Sequence, residues 1–145
     1  METTTENQVT PSKIMQIGMG FWASKTLLTA VNMGLFTHLT NGELSGQDIK
    51  EKLEIQDRGL YDFLDTLVAL GFLKRSGLKK TSMYSNAEDT DLFLDKNKPS
   101  YVGGMLEMAN NRLYPFWNNL EADYDTHLTL PKIYSSYISV AGVCL

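Results

Sequence analysis

The residues best suited to hold a ligand are Met105, Met108, Asn111, Tyr114, Phe116 and Trp117. Thioethers and aromatic rings offer mobile or flat apolar surfaces that enclose a planar apolar molecule. Asn110 and Asn111 beside them are able to orient a ligand hydroxyl, or simply to face water. The same helical spacing also suits ordinary core packing. Other constellations are weaker. Gly18-Met19-Gly20-Phe21-Trp22-Ala23 fits a loose dinucleotide fingerprint, which has force only after a strand and before a helix. Here it falls inside a helical pattern, and Phe21-Trp22 would crowd a phosphate loop. Close packing of two helices through Gly18 and Gly20 explains it better. His38 and His127 have no cysteine or carboxylate at a metal-ligand spacing. Glu88, Asp89 and Asp91 suit the start of a helix, where carboxylates complement the macrodipole. Cys144 has no base partner and no second cysteine to pair with. No Ser/His/Asp set emerges. Catalytic, cofactor-binding and metal residues are therefore not assigned.

The elements that position these residues are mostly helical. Residues 1–10 form a flexible tail. Thr10-Pro11 reads as a capping residue followed by proline at the first helical position, and the first helix runs to about Asn32, with Gly34 ending it. Ile14, Ile17, Phe21, Leu28 and Val31 make one apolar stripe of that helix, and Met15, Met19 and Trp22 make a second. So wide an apolar face exceeds what one small core covers. Ile14, Ile17, Met19, Phe21, Trp22 and Leu28 are thus expected to meet a second copy of the chain, with burial inside the same chain as the alternative. Leu35-Phe36 gives a short helix or turn, and Thr40-Asn41-Gly42 a polar connection. Ser45 and Asp48 have capping-box spacing, and Leu44 and Ile49 the spacing of a hydrophobic staple, at the start of a helix over residues 46–53. Asp57 is expected to cap a third helix whose Leu60, Phe63, Leu64, Leu67 and Leu70 form one face, ending at Gly71. Residues 72–75 and 79–84 read as strands around Ser76-Gly77. Asn86 is expected to cap a short helix through Leu94, residues 96–99 form a loop, and a helix follows over about 100–113. Pro115 kinks that helix or opens a new one carrying Phe116, Trp117 and Leu120. Helix, turn, helix and two-stranded wing is the winged-helix order, so the fold class is mainly α, winged-helix-like, with a small β-hairpin wing.

Winged helices commonly read DNA, but the helix in the reading position offers Asp62 and Asp65 with only Arg58 as a base. Carboxylates facing phosphates repel, and phosphate contacts supply most of such affinity. The basic wing, Lys74, Arg75, Lys79 and Lys80, is either a phosphate clamp or a charged edge that discourages strand pairing. Seventeen acidic against thirteen basic side chains leave a formal charge of -4, which argues against nucleic acid and anionic membrane as partners. A winged-helix transcriptional regulator binding DNA and a stand-alone small-ligand-binding dimer are the rival functions. Gln16, Ser24, Lys25, Thr26, Thr29 and Asn32 interrupt the apolar run over residues 14–33, so no membrane span is expected. The polar N-terminus has no secretory pattern, and with a single cysteine a cytoplasmic location is the expectation.

One ordered series of motifs goes further. Asn32-Met33-Gly34-Leu35-Phe36 is followed by Asp57-Arg58-Gly59-Leu60, which leads to Leu67-Val68-Ala69-Leu70-Gly71-Phe72-Leu73. Tyr84-Ser85-Asn86, Thr90-Asp91-Leu92-Phe93-Leu94 and Pro99-Ser100-Tyr101 complete it. The series resembles the N-terminal dimerisation domain of S-adenosylmethionine-dependent small-molecule O-methyltransferases of the caffeate, acetylserotonin and bacterial natural-product type. The resemblance covers about residues 11–120. It implies an intertwined homodimer centred on the first helix, and a domain over residues 11–121 that closes one wall of a pocket for a small aromatic or polyketide-like substrate. Residues 105–117 are where that wall is expected. It implies that S-adenosylmethionine serves the full-length family through a separate Rossmann-like half, with a Gly-rich loop and a histidine base. After Glu121 the pattern departs: Tyr124-Asp125-Thr126-His127 and residues 133–145 carry no Gly-rich loop after a strand, and His127 inherits no catalytic role. Residues 122–145 are thus expected to be a divergent tail, with residues 133–145 able to form a strand. The chain alone is expected to be truncated, to bind no cofactor and to be catalytically incomplete, the missing half belonging to another chain if it exists at all.

Overall fold

The computed structural model of the chain describes residues 9–78 and 81–120. Most of the expected tail (residues 1–8), Lys79 and Lys80 of the wing, His127, Cys144, the strand over residues 133–145 and the whole segment from Glu121 onward lie outside the described residues. The described chain falls into two compact units that divide between Asn110 and Asn111.

The first unit begins with α1 (Ser12–Gly18) and α2 (Gly20–Asn32). The sequence pattern predicts one continuous helix, and the structure interrupts it at Met19. Glycine costs about 1 kcal/mol in a helix interior relative to alanine. Gly18 and Gly20 flank the interruption, so the ladder is weakest there. Thr10 does not cap α1. Its hydroxyl donates to the Ser12 hydroxyl at 3.1 Å, and Pro11 occupies the cap. Gly34, at φ 72°, takes the left-handed conformation that ends α2 and leads into α3 (Leu35–His38).

A two-residue strand, β1 (Leu44–Ser45), precedes α4 (Gly46–Leu53). The capping box is formed. The Asp48 amide donates to Ser45 Oγ at 3.1 Å, and the Ser45 amide donates back to Asp48 Oδ2 at 3.1 Å. The Ser45 hydroxyl also donates to that carboxylate, at 2.6 Å, and these bonds hold the Asp48 carboxyl below the usual carboxylate range. Replacing Ser45 with alanine leaves the Asp48 amide without its partner and takes one donor from the Asp48 carboxylate. The expected loss is about 1 kcal/mol in urea denaturation, with the m-value unchanged.

Next is α5 (Leu60–Ala69), whose N-cap is Gly59 in the left-handed region at φ 82°, not Asp57. The Asp57 carboxylate instead pairs with Lys50 at 2.7 Å. A Schellman motif closes α5: the Gly71 amide donates to the Val68 carbonyl at 3.0 Å and the Phe72 amide to the Leu67 carbonyl at 2.9 Å. Leu60, Leu64 and Leu67 are buried, whereas Leu70 at 38% exposed has left the expected face because it is the C-cap.

The wing is β2 (Leu73–Ser76) with β3 (Met83–Asn86), antiparallel, pairing Leu73 with Asn86 and Ser76 with Met83. The second strand starts later than its residue pattern indicates, so the connection is longer than Ser76-Gly77. β1 adds a third strand, pairing Leu44 with Tyr84, and the sheet order is β1-β3-β2. One core lies beneath these elements: Val31, Leu35 and Phe36, Ile49, Leu64 and Leu67, and Tyr84.

Ala87, not Asn86, stands at the N-cap of α6 (Glu88–Phe93). Asn86 is the last residue of β3, and its amide donates to the Phe36 carbonyl at 2.8 Å. α7 is Gly103–Met108, shorter at its start than the expected helix. A π-helical turn follows over Ala109–Leu113, then α8 (Tyr114–Trp117) with Pro115 in its first turn, where a missing N–H breaks no bond.

Candidate functional site

No residue of α1 is buried. Ile14 is 74% exposed, Trp22 61% and Phe21 49%, and Ile17 and Met19 are exposed with them. The rings of Phe21 and Trp22 meet edge-to-face, centroids 5.7 Å apart, so they stand as one raised apolar block. Gly18 and Gly20 look onto open space: no heavy atom lies within 4 Å of where a Cβ would stand. The close helix packing expected through them is not made among the described residues. Leu28 differs from its five companions. At 6% exposed it is covered by its own chain, and it leaves the set of exposed apolar residues.

Met105 and Met108 stand on α7 in the first unit, both exposed. The ribbon reaching them is fastened by groups that the residue pattern did not single out. Lys96 Nζ pairs with Glu107 Oε1 at 2.5 Å, and the Tyr101 hydroxyl donates to the same oxygen at 3.2 Å. The Lys96 hydrogen bond, followed by that of Tyr101, holds the Glu107 carboxyl below the ordinary glutamate value. Lys98 Nζ bonds the Asp91 carboxylate and, at 2.9 Å, the Asp91 carbonyl. A Cβ on Gly103 would come within 2.4 Å of the Tyr101 ring, so only glycine lets that ring lie over the start of α7. Lys25 Nζ donates to Asn110 Oδ1 at 2.5 Å, which engages Asn110 with α2. In the second unit, Asn111 lies in the π-helical turn and Tyr114, Phe116 and Trp117 on α8, with Phe116 and Trp117 exposed. The signal for this loop was the cluster Lys96, Lys98, Tyr101 and Glu107. Its sequence spacing carries no periodicity, so pattern reading passed over it.

Two phenols are held neutral by their surroundings. Burial first, then a hydrogen bond to Asp65 at 3.1 Å, pushes the Tyr84 hydroxyl up to about 12. Burial first, then Glu107, pushes Tyr101 to about 12 as well. A folded-state pKa raised above the unfolded value contributes stability that is complete below the unfolded value and is lost on ionisation. The window is therefore from the ordinary tyrosine value of 10.0 up to about 12. Urea midpoints should hold to pH 9 and fall steadily between pH ~10 and ~12. Ionisation of Tyr84 and Tyr101 should appear together with unfolding. In Tyr84→Phe the fall should be shallower.

The wing does not present free cations to a phosphate chain among the described residues. Arg75 Nη1 lies 2.8 Å from Asp65 Oδ2, and Lys74 lies 3.8 Å from Glu88. Asp62 is exposed on α5, where a DNA-reading helix would need bases. No three His, Cys, Asp or Glu side chains converge among the described residues to hold a metal ion. No described helix is long and apolar enough to cross a membrane. His38 is exposed at the end of α3, and Gly18-Met19-Gly20 lies between two helices rather than after a strand.

Comparison with known proteins accords with this architecture. The sequence model of the O-methyltransferase dimerisation domain matches residues 15–96. The tetracenomycin polyketide synthesis 8-O-methyl transferase TcmO of Streptomyces glaucescens is 42% identical over 110 residues, covering 76% of this chain and 32% of the relative. The S-adenosyl-L-methionine-dependent methyl transferase PigF of a Serratia strain is 32% identical over 111 residues, covering 75% of this chain and 31% of the relative. The chain thus spans about a third of the length of the curated relatives it matches. Among solved structures, human N-acetylserotonin methyltransferase in complex with SAM superposes with a TM-score of 0.72 at 22% identity, over 84% of this chain and 35% of that one. PigF with SAH gives 0.68 at 24% identity, over 79% and 37%. At such identity these likenesses bear on the fold alone.

Proposed function

We propose a function from one premise: this chain belongs to the O-methyltransferase dimerisation domain family. It pairs two copies through the exposed face of α1 and the start of α2, with Ile14, Ile17, Met19, Phe21 and Trp22 as the buried contacts. Residues 11–121 act as the dimerisation unit and residues 122–145 as a divergent tail. Met105, Met108, Asn111, Tyr114, Phe116 and Trp117 lend one wall to the pocket of a small aromatic or polyketide-like acceptor. S-adenosylmethionine is held by a catalytic half of the kind the relatives' extra length accommodates, and not by residues 9–120. The setting is the cytoplasm.

The observation that carries this reading is the exposed apolar surface at Phe21 and Trp22. Burying one large apolar side chain is worth roughly 1.5–3 kcal/mol, so several together are enough to hold two copies. The charge pattern of α5 and the wing gives no comparable support to DNA binding. Sedimentation velocity of the 145-residue chain at tens of micromolar should give a dimer; a monomer would remove this function.

A further inference from the structure

The C-terminal half of α2, the connection from α4 to α5 and the start of α5 border an open cavity of about 220 Å³. Glu54, left-handed at φ 53°, turns the chain out of α4 so that Ile55 reaches the cavity wall. Thr29 and Met33, one helical turn apart, face it from α2, and Leu60 and Phe63 from α5. The wall is mostly apolar. Arg58 and Gln56 are its polar members. Arg58 is exposed and has no carboxylate within ion-pair distance among the described residues. The nearest acid in sequence, Asp57, is already neutralised by Lys50 at 2.7 Å. The mouth therefore carries a guanidinium that is in no ion pair among the described residues, over a greasy floor.

We propose that this cavity binds a carboxylate borne on one or two aromatic rings, the rings against Met33, Ile55 and Phe63 and the carboxylate on the Arg58 guanidinium. Size and charge both select this class. A dry cavity of about 150 Å³ accepts benzene, so the somewhat larger space here suits one or two rings rather than a long chain. A guanidinium presents a planar fork that matches a carboxylate with two parallel hydrogen bonds. Apolar surround and a single convergent charge are the usual make-up of a small-ligand site. None of its lining residues belongs to the proposed dimer set or to residues 105–117.

The test is a titration of the 15N-labelled 145-residue chain with 2-naphthoate, alongside 2-naphthalenemethanol as its neutral twin. Saturable shifts are expected at Thr29, Gly59 and Phe63 with both. In Arg58→Gln the naphthoate dissociation constant should rise about tenfold while that of the alcohol stays the same, as expected for loss of one charge-assisted pair. In Thr29→Leu, which fills the cavity with a side chain that a helix accommodates well, shifts from both probes should vanish. Absence of saturable shifts in the wild-type chain would overturn the proposal, as would equal naphthoate affinity in Arg58→Gln. Shifts centred on Lys50 and Lys52 instead would mean surface ion attraction and would overturn it too.

Discussion

Replacing both Phe21 and Trp22 with glutamate should yield a monomer at concentrations where the parent chain sediments as a dimer. The two rings are large, 49% and 61% exposed, and already stacked edge-to-face, so a partner gains their area without reordering them. Losing two buried aromatics at roughly 1.5–3 kcal/mol each weakens association by at least about 100-fold, and the new charges repel across a twofold axis. The fold of one copy should not suffer, because neither ring belongs to the buried core. Far-UV circular dichroism and the low-concentration melting point should match the parent. A variant that remains dimeric would place the interface elsewhere, with Phe116 and Trp117 the next exposed aromatics to substitute.

Leu64→Ala should be the most damaging single substitution for stability, at about 3–4 kcal/mol. Leu64 has no exposed surface and stands in the core with Leu67, Phe36 and Tyr84. Its loss leaves a cavity under the sheet that neighbours anchored on three different elements cannot close. For a domain of ordinary stability, 5–15 kcal/mol in total, that is a large share. Thermal unfolding should fall by more than ~10 °C. Leu70→Ala, the same change two turns along at a site 38% exposed, should cost less than about 1 kcal/mol. Equal losses at the two positions would mean that the buried face of α5 has been misread.

What could be read from the residues follows how local each signal is. The Ser45–Asp48 capping box, the left-handed stops at Gly34 and Gly71, and the run of α5 from Leu60 to Leu67 depend on neighbours within a few positions, and the structure contains them. Asp57 looked like a cap because its residue type fits. Gly59 takes that place, since only a left-handed residue turns the incoming chain sharply enough, while Lys50 claims the aspartate. The short strand at Leu44–Ser45 had no signal, because it exists only through pairing with Met83 and Tyr84. The break at Met19 was written in the flanking glycines, yet the apolar stripes continued across it and hid it. For the exposed block, Phe21 and Trp22 were legible from the width of the apolar face. Leu28 was not, since which turn of a long helix leaves the core depends on packing that the stripe alone does not encode. The cavity beside Arg58 has no sequence signature at all: it arises where three segments fail to fill the space between them.

The pairing of Leu44 with Tyr84 has a consequence for how the molecule is made. A ribosome adds only about 5–20 residues each second, so the first of these residues waits seconds for its mate. During that interval the N-terminal helices emerge with Val31, Leu35 and Phe36 still bare, since the strand that roofs them has not been synthesised. The raised aromatic block on α2 is out even earlier. The block is thus open to neighbouring newborn chains on one messenger before either has sealed its own interior.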